Sequence, residues 1–171
     1  MKVYTAGSMT GLSGEELVNR SLYVGQVLSD HHITVLDPVE CEGVKPSDAP
    51  TQASFDDLKI FWKRDKQMIR DCHVVFDITP ERKSEGVAHE IGYARYFLWK
   101  PVVRVYCNGG RPTAASVIHF EDDVIADSLE EACTVALALW GTRWKRLKWR
   151  LSLYNRCLIK AAYYKLQEWF K

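Results

Sequence analysis

Lys2-Val3-Tyr4-Thr5-Ala6 runs without a break into Gly7-Ser8-Met9-Thr10-Gly11, and Ser13 follows with Glu16 three residues on. The first five residues read as a short strand. Gly7 and Gly11 let the backbone turn sharply and take positive φ. Ser13 and Glu16 form the reciprocal cap of a helix start. Leu17, Ser21, Val24 and Leu28 line one face of that helix at helical spacing. A strand, a glycine turn and a helix make one unit, and the same alternation continues along the chain.

Ile33–Leu36 reads as a second strand, stopped by Asp37-Pro38, because the residue before proline is pushed toward extended backbone. The segment from Pro38 to Ala53 reads as irregular and long enough to be a functional loop. Ser54 with Asp57 opens a helix to about Arg70. His73–Ile78 is a third strand and Thr79–Glu85 a loop. A helix from Gly86 to about Leu98 follows, then a fourth strand, Pro101–Tyr106. Val117–Val124 is expected to hold a fifth strand. Ser128 and Glu131 cap a helix that reaches Trp140. Alternating strands and helices predict an α/β fold, a Rossmann-like or flavodoxin-like parallel sheet of about five strands flanked by helices. Such sheets bind ligands at the carboxyl ends of their strands. The loops after Ala6, Leu36 and Ile78 are therefore expected to line the site. They bring Gly7, Ser8, Met9, Gly11 and Asp37 into it.

The 171 residues are 47% hydrophobic, enough for a real core, and no apolar run approaches the ~20 residues of a bilayer span. Cys41, Cys72, Cys107, Cys133 and Cys157 lack CxxC spacing, which excludes both a zinc-site and a disulfide-framework pattern. Met1 leads into a strand with no basic region or cleavage site ahead of it. The expectation is a cytoplasmic protein, with a peripheral place at a membrane as the alternative. Charge divides it: from Arg143 onward nine Lys/Arg face one acid, Glu168, a net +8, while the rest carries −7. The expected organisation is a domain over 1–140 and a basic amphipathic helical tail over 141–171.

Chemistry is concentrated in Ser84-Glu85-Gly86-Val87-Ala88-His89-Glu90-Ile91-Gly92-Tyr93-Ala94. Free N–H groups at a helix start near Gly86 make an anion or hydroxyl site. Glu90 lies about a turn inside. On spacing alone it reads as a surface carboxylate favoured by the helix dipole, and Arg64-Asp65 as a solvated pair. His73 reads as structural and His89 as a surface residue.

Taken together, these segments resemble the nucleoside 2-deoxyribosyltransferase family and its relatives, the nucleotide 5′-monophosphate N-glycosidases. The resemblance runs from about Lys2 to Tyr106. It rests on Ala6-Gly7-Ser8-Met9-Thr10-Gly11, Arg64-Asp65, Asp77-Ile78-Thr79, and above all Glu90-Ile91-Gly92-Tyr93-Ala94 followed by Lys100-Pro101-Val102-Val103. It implies that Glu90 is the nucleophile attacking the anomeric carbon. Asp65 then positions that carboxylate or hands a proton to the base. Tyr4, Gly7, Ser8, Met9, Gly11, Asp37, Gly86 and Tyr93 surround the substrate, a small-molecule nucleotide or nucleoside. In transferases acting on free nucleosides an aspartate precedes the nucleophile by six residues; here that position is Ser84. A carboxylate would repel phosphate, whereas a serine beside free helix N–H groups accepts it. A 5′-monophosphate substrate follows, with Arg82 and Lys83 adding positive charge and Thr113–Ser116 of a neighbouring subunit as a second phosphate contact. The resemblance also implies a homo-oligomer, a dimer or higher.

The chemistry needs an ionised Glu90, which a helix N-terminal setting and the Tyr4 or Tyr93 hydroxyl would favour. Attack builds a glycosyl-enzyme, which water hydrolyses or a second base intercepts. It requires no metal and no cofactor. Base exchange by a deoxyribosyltransferase is the alternative in the same chemistry; a catalytically inactive nucleotide-binding sensor is the alternative outside it. In the tail, Trp140, Trp144, Leu147, Leu151, Tyr154, Leu158 and Ala161 form one apolar stripe with basic residues off it. That stripe packs on the domain or a twin copy, lies on a membrane surface, or supports nucleic-acid contact through 143–171.

Overall fold

The structure is a computed structural model that describes residues 1–9, 11–48, 55–79, 84–106 and 124–140. Thr10, Ser54, Arg82, Lys83, the 113–116 segment, most of the expected fifth strand and the tail beyond Trp140 lie outside them. The chain divides into two compact units, Met1–Leu137 and Ala138–Lys171. Among the described residues the order is β1 (Lys2–Ala6), α1 (Gly14–Asp30), β2 (Thr34–Leu36), α2 (Pro38–Glu42), α3 (Phe55–Asp71), β3 (Val74–Asp77), α4 (Glu85–Gly92), a π-helical turn (Tyr93–Phe97), β4 (Val102–Val105), β5 (Val124–Ala126) and α5 (Leu129–Trp140).

The five strands form one parallel sheet in the order β2-β1-β3-β4-β5. This is the flavodoxin-like order, and its direction reverses between β1 and β3. Val3 to Ala6, Val74 to Asp77 and Val102 to Val105 are buried on both faces, as expected of parallel strands covered by helices. One face is defined by a cluster of Tyr4, Ala6, Val75 and Val102 against Met68 and Ile69 of α3, Cys72 just after it, and Val87, Ile91 and Ala94 beyond. Side chains alternate along a strand, so Asp77 and Arg104 share this face. Burying Ile69 and Phe76 in full contributes about 1.5–3 kcal/mol each.

Helix α1 starts as its sequence indicates. The Ser13 hydroxyl accepts from Glu16 N–H, and the Glu16 carboxylate accepts from Ser13 N–H. At α5 the cap is shifted. Ser128 Oγ accepts from Glu131 N–H at 3.1 Å, but the Glu131 carboxylate reaches back to Asp127 N–H at 2.7 Å.

Three expectations change. The segment after Asp37 opens not as irregular chain but as α2. Asp37 Oδ1 accepts from Val39 N–H at 2.9 Å, proline occupies the helix start, and Gly43 at φ 65° ends it. Asp-Pro was a cap followed by a preset first residue, not only a strand stop. The helix expected from Gly86 to about Leu98 is α-helical only to Gly92 and then widens into the π turn. The fifth strand covers Val124–Ala126, meeting the expected Val117–Val124 at Val124. Among the described residues no helix is long and apolar enough to cross a membrane.

Candidate active site

The carboxyl ends of β1 and β3 are joined beyond their ladder. Ile78 N–H donates to Ala6 O at 2.9 Å, and Ser8 N–H donates to Thr79 Oγ1 at 2.7 Å. Gly7 is needed here, since a Cβ on it would stand 2.9 Å from Ile78 Cγ1. Arg20 of α1 donates to Ser8 O at 2.8 Å. Both backbone groups of Ser8 are thereby engaged, so the N–H is held within the protein rather than offered to a ligand. Gly11 takes φ 78°, the positive value expected of the turn, and Met9 packs against Leu12, Leu17 and Val39.

Below this rim, on the face of α3 and α4, β1 supplies Tyr4, α3 supplies Asp65 and α4 supplies Glu90. Tyr4 has no exposed surface and Asp65 is 7% exposed. Glu90 is half-buried as a residue, but its Oε2 is sealed from solvent. The Tyr4 hydroxyl lies close enough to the Glu90 carboxylate that each shifts the other's proton affinity. Even so, neither Tyr4 Oη nor Glu90 Oε2 completes a well-aligned hydrogen bond with a described residue, and the same holds for Asp65 Oδ1 and Arg64 Nε. A buried polar atom left this way costs roughly 1–3 kcal/mol. Four of them lie on β1, α3 and α4.

Charge follows from this packing. Burial pushes the Glu90 carboxyl well above the carboxylate range, Asp65 raises it further, and the Tyr4 hydrogen bond opposes them. Burial likewise raises Asp65 to about 6, against the pull of Arg64 and with a push from Glu42. Arg64 is divided between the two acids: its guanidinium is 2.5 Å from Glu42 Oε1 and 3.9 Å from Asp65 Oδ1. Burial raises Glu42 as well. The sequence led us to expect an ionised Glu90. Desolvation works against that ionised form and pushes the carboxyl upward.

The other expected residues divide. Asp37 is buried at the end of β2 as the cap of α2, and its charge reaches Tyr4. Ser84 caps α4, its Oγ accepting from Val87 N–H at 3.4 Å, and Gly86 is exposed in the first turn. The Tyr93 hydroxyl accepts from Arg70 Nε at 2.8 Å and its ring packs edge-on against Trp62, so Tyr4 is the tyrosine that interacts with Glu90. His89 is exposed near Trp62, and His73 Nδ1 accepts from Lys2 N–H at 2.8 Å.

Sequence reasoning missed the Asp77–Arg104 ion pair, both partners of which are almost fully buried. Asp77 adds to the field at Glu90, and burial lowers Arg104 to about 10 against the support of Asp77. Arg95, buried in the π turn, lies in the field of Arg104. An arginine inside an otherwise apolar strand, Val102-Val103-Arg104-Val105, was the available signal. Among the described residues no group of three or more His, Cys, Asp or Glu is placed to hold a metal.

No protein-family model matches the sequence, and no curated protein does. Solved structures match in shape. The 2-deoxyribosyltransferase of Bacillus psychrosaccharolyticus aligns over 77% of this chain and 90% of its own, at 22% identity and a TM-score of 0.57. A conserved protein from Enterococcus faecalis V583 aligns over 81% and 98%, at 18% identity and a TM-score of 0.53. The CMP N-glycosidase of Clostridium botulinum aligns over 82% and 100%, at 17% identity and a looser TM-score of 0.47. At the level of the fold, this chain is similar to the Bacillus 2-deoxyribosyltransferase.

Proposed function

We propose that the protein is an enzyme that cleaves the N-glycosidic bond of a (deoxy)nucleoside 5′-monophosphate, with Glu90 as nucleophile. The observation that carries this reading is the sealed Glu90 carboxylate at the reversal point of the sheet, beside Asp65 and Tyr4 and short of a hydrogen-bond partner. Burial raises both carboxyls, Asp65 to about 6, so the pair favours holding a proton between them. When substrate binds, that proton passes to Asp65. Glu90 then attacks the anomeric carbon as a carboxylate and the bond to the base breaks. Asp65 delivers the proton to the departing base nitrogen. Water adds to the glycosyl-enzyme and releases sugar phosphate, returning one proton to the pair. Ser84, capping α4 with its hydroxyl hydrogen still available to donate, supports a phosphate at that helix start. Base exchange uses the same intermediate with a second base in place of water, and the fold shared with the Bacillus transferase supports it as the second reading.

The test is incubation with deoxy- and ribonucleosides and their 5′-monophosphates, with and without a second free base, and chromatography of the released base. Base release from monophosphates that disappears in Glu90→Gln supports hydrolysis. New nucleosides formed only with a second base move the assignment to transfer. Monophosphate binding without turnover leaves the inactive sensor.

A further inference from the structure

We infer that Thr79 is the positioning residue for the substrate loop that follows β1, acting through the backbone of Ser8. The inference rests on the reading that this loop closes over a nucleotide.

The main-chain ladder between β1 and β3 ends at the Ala6–Asp77 pair. One further bond, Ile78 N–H to Ala6 O, continues it, and among the described residues no other main-chain bond joins the end of β3 to the loop. Thr79 extends the ladder with a side chain: its Oγ1 accepts from Ser8 N–H at 2.7 Å, and Thr79 and Ser8 are 6% and 4% exposed. Thr79 is itself fixed. Its N–H donates to Asp77 Oδ1 at 3.2 Å, and Asp77 Oδ2 is held by Arg104. On its other side Ser8 O accepts from Arg20 at 2.8 Å. The chain Arg104, Asp77, Thr79, Ser8 and Arg20 therefore runs from inside the sheet to α1, across the mouth of the site. Gly7, packed directly on Ile78, closes the same seam.

A loop lined by glycines costs conformational entropy to hold. A tie that orders it before the ligand arrives appears in binding. The tie needs an acceptor at Thr79 Oγ1. Serine retains that atom. Valine puts a methyl group there and leaves a buried N–H without a partner.

The test compares the full-length protein with Thr79→Val, Thr79→Ser and Thr79→Ala, the last leaving room for a water should valine prevent folding. Two quantities are read: amide hydrogen exchange at Ser8, which requires no turnover, and nucleoside monophosphate handling, as KM and kcat or, if nothing turns over, as Kd. Loss of the acceptor is expected to speed Ser8 exchange at least tenfold. It should also raise KM or Kd about tenfold, with kcat changed less than threefold, and Thr79→Ser should restore both. Unchanged Ser8 exchange in Thr79→Val or Thr79→Ala overturns the tie. Faster exchange with unaltered KM or Kd reduces the tie to a structural one and overturns the positioning role. Absence of turnover with the Kd pattern intact would count against the proposed reaction and leave this inference standing.

Discussion

Replacing Asp65 by asparagine should stabilise the protein, and by an amount that grows with pH. Asp65 is 7% exposed, and burial raises its carboxyl from 3.8 to about 6. The native state therefore binds a proton more tightly than the unfolded chain. Between pH 3.8 and about 6 the folded protein carries more protons at this site, so stability falls as pH rises through that window. The full penalty is absent below pH 3.8 and fully present above about 6. At about 1.4 kcal/mol per pKa unit it approaches ~3 kcal/mol. Asparagine has nearly the same shape and no charge, so it escapes the penalty. It also relieves Glu90, which Asp65 pushes upward, an effect of the same sign.

Urea unfolding of wild type and Asp65→Asn at pH 4, 5, 7 and 8, with linear extrapolation to water, reads this directly. Near pH 4 the two should differ little from whatever the substitution does to packing. By pH 8 the variant should gain roughly 2–3 kcal/mol relative to that baseline, equivalent to ~4–12 °C in Tm for a chain of this size. A stability difference that stays flat from pH 4 to pH 8 would falsify the account of Asp65 as a desolvated carboxylate. A variant that loses stability steadily as pH rises would show that Asp65 is held by a favourable partner. Release of base should fall in this variant while the fold becomes firmer.

The remaining expectations concern the site and its frame. Glu90→Gln should lower base release by roughly 10³-fold or more while raising stability at pH 8, measured by chromatography and by urea unfolding. The kcat/KM profile should be bell-shaped, with an acid limb near pH 6 from Asp65 and an alkaline limb set by Glu90. Tyr4→Phe removes a hydroxyl whose proximity lowers the Glu90 value, so it should move the alkaline limb to higher pH; a shift the other way would refute the Tyr4–Glu90 interaction. Ser84→Asp should weaken monophosphate binding relative to the free nucleoside, a ratio that titration calorimetry reads. Gly14→Ala would place its Cβ 2.0 Å from Lys45 O, and the resulting backbone shift should cost roughly 1–3 kcal/mol in thermal unfolding.

The scaffold was legible because parallel strands buried on both sides announce themselves as apolar runs. Val74-Val75-Phe76 and Val102-Val103 could be little else, and the loop after each strand could then be placed at one edge of the sheet. Helix starts were legible where the cap is local, as at Ser13 and Glu16. What failed depended on competition between nearby signals. Asp37-Pro38 satisfies both a strand stop and a helix start, and only Gly43 at the far end favours the second. The π turn has no local mark, since Tyr93 to Phe97 suits an ordinary helix and the widening accompanies the burial of both Ala94 and Arg95. Glu90 and Asp65 were nameable through the resemblance, yet the burial that raises both carboxyls was not. A helix start argues for an ionised carboxylate, and the sequence does not say how completely the sheet and α3 will remove water from it.

That burial bears on mechanism. A nucleophilic carboxylate fully solvated in the resting protein would carry a shell of water to be stripped at every turnover, with water close to the intermediate. Burying Glu90 removes that water in advance, and the cost appears as a carboxyl raised by desolvation. Asp65 is suited to accept that proton because its own affinity has been raised, but less far, so a single proton can sit on either acid according to what occupies the space between them. Tyr4, with its hydroxyl toward Glu90, biases the proton toward Asp65 by favouring the charged form of Glu90. Asp65 retains the attraction of Arg64, while Glu90 feels the repulsion of Asp65, Asp77 and Glu42. Weakening that attraction by Arg64→Met should raise Asp65, move the acid limb of the rate profile to higher pH and leave the alkaline limb nearly fixed. If both limbs moved together, the two carboxylates would be acting as one inseparable group, and the assignment of nucleophile and proton carrier to separate residues would fail.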